Sequence, residues 1–154
     1  MPTDALHSLH TLLQQAERER DAALAALRRA EEAERRACQQ AELLDQYRRD
    51  YRARWGAQAG RAGTVLQLQC YQGFMDRLEQ AVAQQARHCQ GSAQGVAQAR
   101  VRLQAQELRV AAVRKLIERR QQAGQALARR QSQKQTDEAA QRAGWAARAA
   151  ADAH

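Results

Sequence analysis

Three thiols and a pair of neighbouring imidazoles are the side chains here best equipped for chemistry. Cys38, Cys70 and Cys89 are odd in number, and none stands in the C-x-x-C spacing by which two thiolates close on one metal ion. The expectation is free thiols in a reducing compartment. His7 and His10 fall one helical turn apart and could share a metal, but no third ligand stands near enough to complete a tetrahedral set. No glycine-rich phosphate loop, nucleophile elbow or constellation of carboxylates occurs. The sequence therefore predicts no enzyme, no metal and no cofactor.

Two other groupings could bind rather than react. Five of the six aromatic residues, Tyr47, Tyr51, Trp55, Tyr71 and Phe74, fall in one stretch of the chain. The net charge is +8, with arginine doublets at Arg28-Arg29, Arg35-Arg36, Arg48-Arg49, Arg119-Arg120 and Arg129-Arg130. In the first third, Glu17, Glu19, Asp21, Glu31, Glu32, Glu34 and Glu42 are interleaved with the arginines as one-turn partners, the pattern of a solvated helix surface. Between residues 100 and 134 only Glu107 and Glu118 face many more Arg and Lys. Such a basic stretch suits an acidic protein cavity or, non-specifically, nucleic acid. Aromatics are absent from it until Trp145, so base stacking has little support and a protein partner is favoured.

The elements that must position these groups are two long helices. One apolar stripe with alternating spacings of three and four runs from Leu6, Leu9 and Leu13 through Leu27, Ala37, Ala41, Leu44 and Tyr51 to Trp55. A second runs from Leu68, Tyr71, Met75 and Leu78 through Val96, Leu103, Val110 and Val113 to Ile117. That spacing keeps a seam on one side of a slightly under-wound helix, the signature of a coiled-coil strand. The predicted fold is all-α: a long two-helix antiparallel coiled-coil hairpin with the second helix overhanging, one domain over residues 1–154. Helix one covers about 4–55, the glycine-dense segment 56–63 turns the chain, and helix two covers about 64–148. Thr3 or Asp4 can cap the first helix. Thr64, with Gln67 three residues on, has the capping-box pattern for the second.

The two stripes fit in a register where Trp55 faces Thr64, Tyr51 faces Leu68, Leu44 faces Met75, Ala16 faces Leu103 and Leu6 faces Val113. A slip of one heptad also aligns them. In the preferred register Glu34 faces Gln85, a polar layer able to fix the pairing. Alanine dominates the first stripe and larger residues the second, which suits a narrow pair. Such a thin hairpin encloses no active site. The overhang begins near residue 116, its seam fades after Leu127, and with nothing to pack on it should fray.

Heptad letters place the aromatics more finely. With Ala41 and Met75 at a, and Leu44 and Leu78 at d, residues Gln40, Tyr47, Phe74 and Ala81 all occupy g. In an antiparallel pair the two g rows share a flank, beside the d residues Leu44, Tyr51, Leu78 and Gln85. A partly exposed aromatic stripe crossing both helices is the expectation, and exposed aromatics of this kind mark docking surfaces.

These residues also resemble a known family. Cys38-Gln39-Gln40-Ala41-Glu42 leading to Leu44, Tyr47, Tyr51 and Arg52 is similar to the first helix of the FliJ family, a small coiled-coil component of bacterial flagellar type III export. Tyr71-Gln72, Phe74, Leu78-Glu79 and Ala81-Val82 resemble its second helix past the turn, and the run from Gln133 to Ala143 resembles its terminal signature. The resemblance implies a stalk like the central subunit of rotary ATPases, its terminal end inserted in the ring of the flagellar export ATPase hexamer. Arg119, Arg120, Arg129, Arg130 and Lys134 would then line that contact. It implies further that Gln40, Leu44, Tyr47, Tyr51, Phe74, Leu78, Ala81 and Gln85 form the patch for the cytoplasmic domain of the export-gate membrane protein. Export chaperones are a third implied partner class. Two departures stand out: Gln85 lies where some members carry histidine, and Ala139 replaces the usual aromatic after Asp137-Glu138.

Residues 1–25 contain no apolar run like that of a signal peptide, and no stretch approaches the ~20 apolar residues of a membrane helix. A cytoplasmic monomer, associated peripherally with the inner-membrane export apparatus, is the expectation. The alternatives are the equivalent stalk of a virulence-type secretion system, a basic coiled-coil protein that binds nucleic acid, and a scaffold that dimerises through its seam.

Overall fold

The computed structural model describes residues 2–58 and 64–153. They form two helices, α1 (Pro2–Gln58) and α2 (Val65–Asp152), packed as an antiparallel hairpin. Of the expected turn, residues 56–58 complete α1 and 59–63 lie outside the described residues. Helix α1 begins two residues earlier than the sequence suggested, with Pro2 in its first turn. Proline is favoured there because its missing N–H is one that the first turn leaves unpaired in any case. Thr3 and Asp4 are consequently helical rather than capping, and the Asp4 carboxylate complements the positive end of the helix dipole. The start of α2 is as the capping pattern required. The Gln67 amide donates to Thr64 Oγ1 at 3.3 Å, and the Leu68 amide donates to the Thr64 carbonyl at 3.1 Å.

The chain divides into two compact units, residues 1–18 with 108–154 and residues 19–107. In the second of these, Leu27, Val96 and Ala99 are buried together, with Ala30 and Leu103 packed against them. Nearer the turn, Trp55 stacks on Tyr71 with ring centroids 4.7 Å apart. Both contacts fix the register one heptad away from the preferred one. Leu27 packs with Ala99 and Trp55 with Tyr71, and the heptad repeat then sets Leu44 opposite Val82 and Tyr51 opposite Met75. The gain is a layer of two stacked aromatics, and Met75 is buried as well. The loss is Leu68, left 48% exposed. The expected Glu34–Gln85 layer does not form. Gln85 instead donates through Nε2 to the Ala37 carbonyl at 3.1 Å and to Gln40 Oε1 at 3.2 Å.

In the unit holding the chain ends, Ala16 of α1 and Val110, Val113 and Ile117 of α2 are buried. The Glu17–Arg114 ion pair gives this unit the same register, which sets Val110 opposite Ala16, Val113 opposite Leu13 and Ile117 opposite Leu9, so that the last large β-branched residue of the stripe has a partner. Beyond Ile117 every described residue of α2 is exposed, yet the helix continues to Asp152. Among the described residues α1 supplies three buried apolar residues, two of them alanines, and α2 supplies seven. This is the small-against-large packing that the two stripes implied.

The thiols differ most from expectation. Cys38 and Cys89 are joined in a disulfide across the two helices, with Cα atoms 4.8 Å apart, and only Cys70 is free and exposed. The heptad slip is the reason: it sets Ala37, the neighbour of Cys38, directly opposite Cys89 and brings the two sulfurs within bonding reach.

Candidate functional site

The hairpin's two flanks differ in chemistry. The e positions of both helices share one flank, and there Arg52 pairs with Glu79, Glu31 with Arg100 at 3.8 Å, and Glu17 with Arg114 at 3.1 Å. Each ion pair joins α1 to α2 through two partly exposed side chains, so each adds little stability but helps choose the register. Sequence reasoning placed Glu17 and Glu31 with neighbours on their own helix and missed these interhelical latches. The opposite charges at e positions were the signal that could have found them.

The other flank carries the aromatic stripe. Tyr51, at d on α1, is its hub: its ring lies 4.6 Å from that of Phe74, 6.0 Å from Tyr71, 6.1 Å from Tyr47 and 6.4 Å from Trp55. The Tyr47 side is open, at 50% exposure, and Phe74 is half-buried. One heptad towards the chain ends, the hydrogen bond from Gln85 to Gln40 continues the same flank with amides, leaving Gln40 exposed. Leu44, Ala81 and Gln85 are half-buried beside these groups, whereas Leu78 is only 8% exposed and belongs to the core. Of the eight candidate residues, Tyr47, Tyr51 and Phe74 form one ring cluster and Gln40 and Gln85 one amide pair. The surface offers flat π-faces, one open phenol and an amide edge, a combination able to bind another protein.

The basic candidates lie elsewhere, on the terminal stretch of α2. Arg119, Arg120, Arg129, Arg130 and Lys134 are all exposed and, among the described residues, take no ion-pair partner. Two acidic residues further along, Asp137 and Glu138, are engaged locally. Glu138 pairs with Arg142 at 3.8 Å, and Asp137 accepts from Gln133 Nε2 at 3.1 Å. The five cations are thus left to the solvent or a ligand, spread along a helix whose backbone groups are satisfied internally. His7 and His10 are likewise exposed, and among the described residues no group of three His, Cys, Asp or Glu could hold a metal ion. No helix among them is long and apolar enough to cross a membrane.

A family model described as Flagellar FliJ protein matches residues 6–149, nearly the whole chain and all thirteen candidate residues. No match was found among curated proteins or solved structures.

Proposed function

This chain belongs to the FliJ family of flagellar proteins, and from that membership we propose that it is a non-enzymatic stalk and coupling component of the flagellar type III export apparatus. The export ATPase hexamer holds its terminal end, where Arg119, Arg120, Arg129, Arg130 and Lys134 meet acidic groups of the ring. The cytoplasmic domain of the export gate docks on the flank formed by Gln40, Leu44, Tyr47, Tyr51, Phe74, Leu78, Ala81 and Gln85. Export chaperones are further partners, and the protein works at the cytoplasmic face of the inner membrane without entering it. One observation carries the reading: an aromatic flank and five exposed, unpaired basic residues of α2 lie in separate stretches of a chain whose family is flagellar. Two partners can therefore be held without competing for the same residues.

A tagged pull-down from the native bacterium, with nuclease treatment and mass spectrometry of the co-purifying proteins, tests this. Recovery of a flagellar export ATPase and the gate protein supports the stalk. Recovery of nucleic acid alone, lost on nuclease treatment, overturns it in favour of a basic coiled coil that binds phosphate backbones.

A further inference from the structure

We propose that the Cys38–Cys89 pair is a reversible redox staple, holding together the stretch of the hairpin that its own packing holds least. The argument starts from the seam. The register fixed by the disulfide and by the packing of Ala30 against the Leu27, Val96 and Ala99 cluster sets Leu44 opposite Val82 on one side of the pair and Ala30 opposite Val96 on the other. Between them lie three successive layers with no large apolar side chain: Ala41 against Gln85, Ala37 against Cys89, and Glu34 against Ser92. Only Ala37 is fully buried there. Little area leaves water in these layers, so little hydrophobic stabilisation holds them. On α2 the same stretch contains Gly91 and Gly95, each weakening a helix relative to alanine, and apart from their chain neighbours and the helix's own backbone nothing lies within 4 Å of where their Cβ atoms would be. No close backbone approach requires either glycine. The covalent link therefore sits at the point of least packing and greatest intrinsic helix weakness.

Chemistry and access both suit a switch. Closing the link removes one hydrogen from each thiol, and a low-molecular-weight disulfide such as oxidised glutathione accepts the two electrons and two protons, becoming two thiols. Reopening is the reverse exchange, by attack of an external thiolate on one sulfur. Neither cysteine is fully buried, and an open hollow lined by Glu31, Glu34, Arg35 and Cys38 brings solvent to the α1 side. The link spans 51 residues of sequence, so it removes much of the freedom of the opened chain. It also fixes the heptad choice, because the alternative register would part the two sulfurs. Reduced, the three small layers become a soft joint where the helices separate locally. Oxidised, they are locked, together with the Gln85 contacts to Ala37 and Gln40 one turn away.

Hydrogen exchange on the full-length chain, carrying Cys70→Ser so that the exposed third thiol cannot cross-link copies, tests the staple. After incubation with oxidised glutathione, the chain should lose two hydrogens in mass and resist alkylation by iodoacetamide. Its amides at 34–41 and 85–92 should then exchange about tenfold or more slowly than after dithiothreitol, with little change elsewhere. Adding Cys89→Ser should give the fast pattern regardless of reductant. Two alkylatable thiols surviving the oxidised glutathione would overturn the proposal. So would equal exchange in the oxidised and reduced chains, a comparison that needs no further variant.

Discussion

The ring of Tyr51 on α1 lies 4.6 Å from the ring of Phe74 on α2 at an interplanar angle of 47°. This tilted contact joins a seam position of one helix to a flank position of the other. Tyr51 anchors the packing while Phe74 turns partly outward, so the exposed part of the aromatic flank stands on partly buried rings. Aromatic pairs of this geometry add roughly 0.5–1.5 kcal/mol beyond their buried area. They lose little conformational freedom when a partner arrives.

The register makes two substitutions diverge. Ile117 is 6% exposed, and replacing it with alanine should cost roughly 2–4 kcal/mol. Leu68→Ala should cost less than about 0.5 kcal/mol, because Leu68 makes little contact in this register. In the register one heptad away the order would reverse, with Leu68 opposite Tyr51. Urea unfolding of the two variants followed by circular dichroism separates the alternatives.

The latching flank should matter little to strength and nothing to docking. Arg52→Ala removes the pair with Glu79 and should cost less than about 1 kcal/mol, fading as salt is added. Gate binding should be unchanged, since Arg52 lies on the flank away from Phe74. Thermal melts at low and high salt, with binding measured on the same variant, check both halves.

Much of this was legible from spacing alone. The three-and-four alternation from Leu6 to Trp55 and from Leu68 to Ile117 requires two helices with facing seams, and the Thr64 capping pattern marks where the second begins. The g positions of Tyr47 and Phe74 place the stripe before any coordinate is known. The register was not legible, because a heptad repeat matches itself after one heptad. The choice falls to end effects, the Trp55–Tyr71 stack and the partner for Ile117, that periodicity cannot weigh. The disulfide followed from that same choice: counted along the chain, Cys38 and Cys89 are unrelated, and only the slip makes them neighbours. The path of α2 beyond Leu127 was hidden for another reason. Its helix rests on alanine-rich propensity and local pairs such as Arg142 with Glu138, which leave no seam to read.

The basic stretch gives a third expectation. Replacing Arg119, Arg120, Arg129 and Arg130 together with alanine should leave the melting temperature within about 2 °C, because these side chains are exposed and alanine favours helix. Affinity for the export ATPase should fall at least about tenfold, and its dependence on salt should flatten as the cations are lost. Calorimetry across a salt series reads both effects.

The most direct test of the central claim is a titration of the full-length chain against the purified cytoplasmic domain of the export gate, in wild type and in Phe74→Ala. The variant should bind at least about tenfold more weakly, the size of loss typical of an anchoring aromatic, while its helicity and ATPase affinity stay within error of wild type. Equal gate affinity in the two proteins would contradict the account, leaving the Tyr51–Phe74 stripe as packing and placing the docking surface elsewhere.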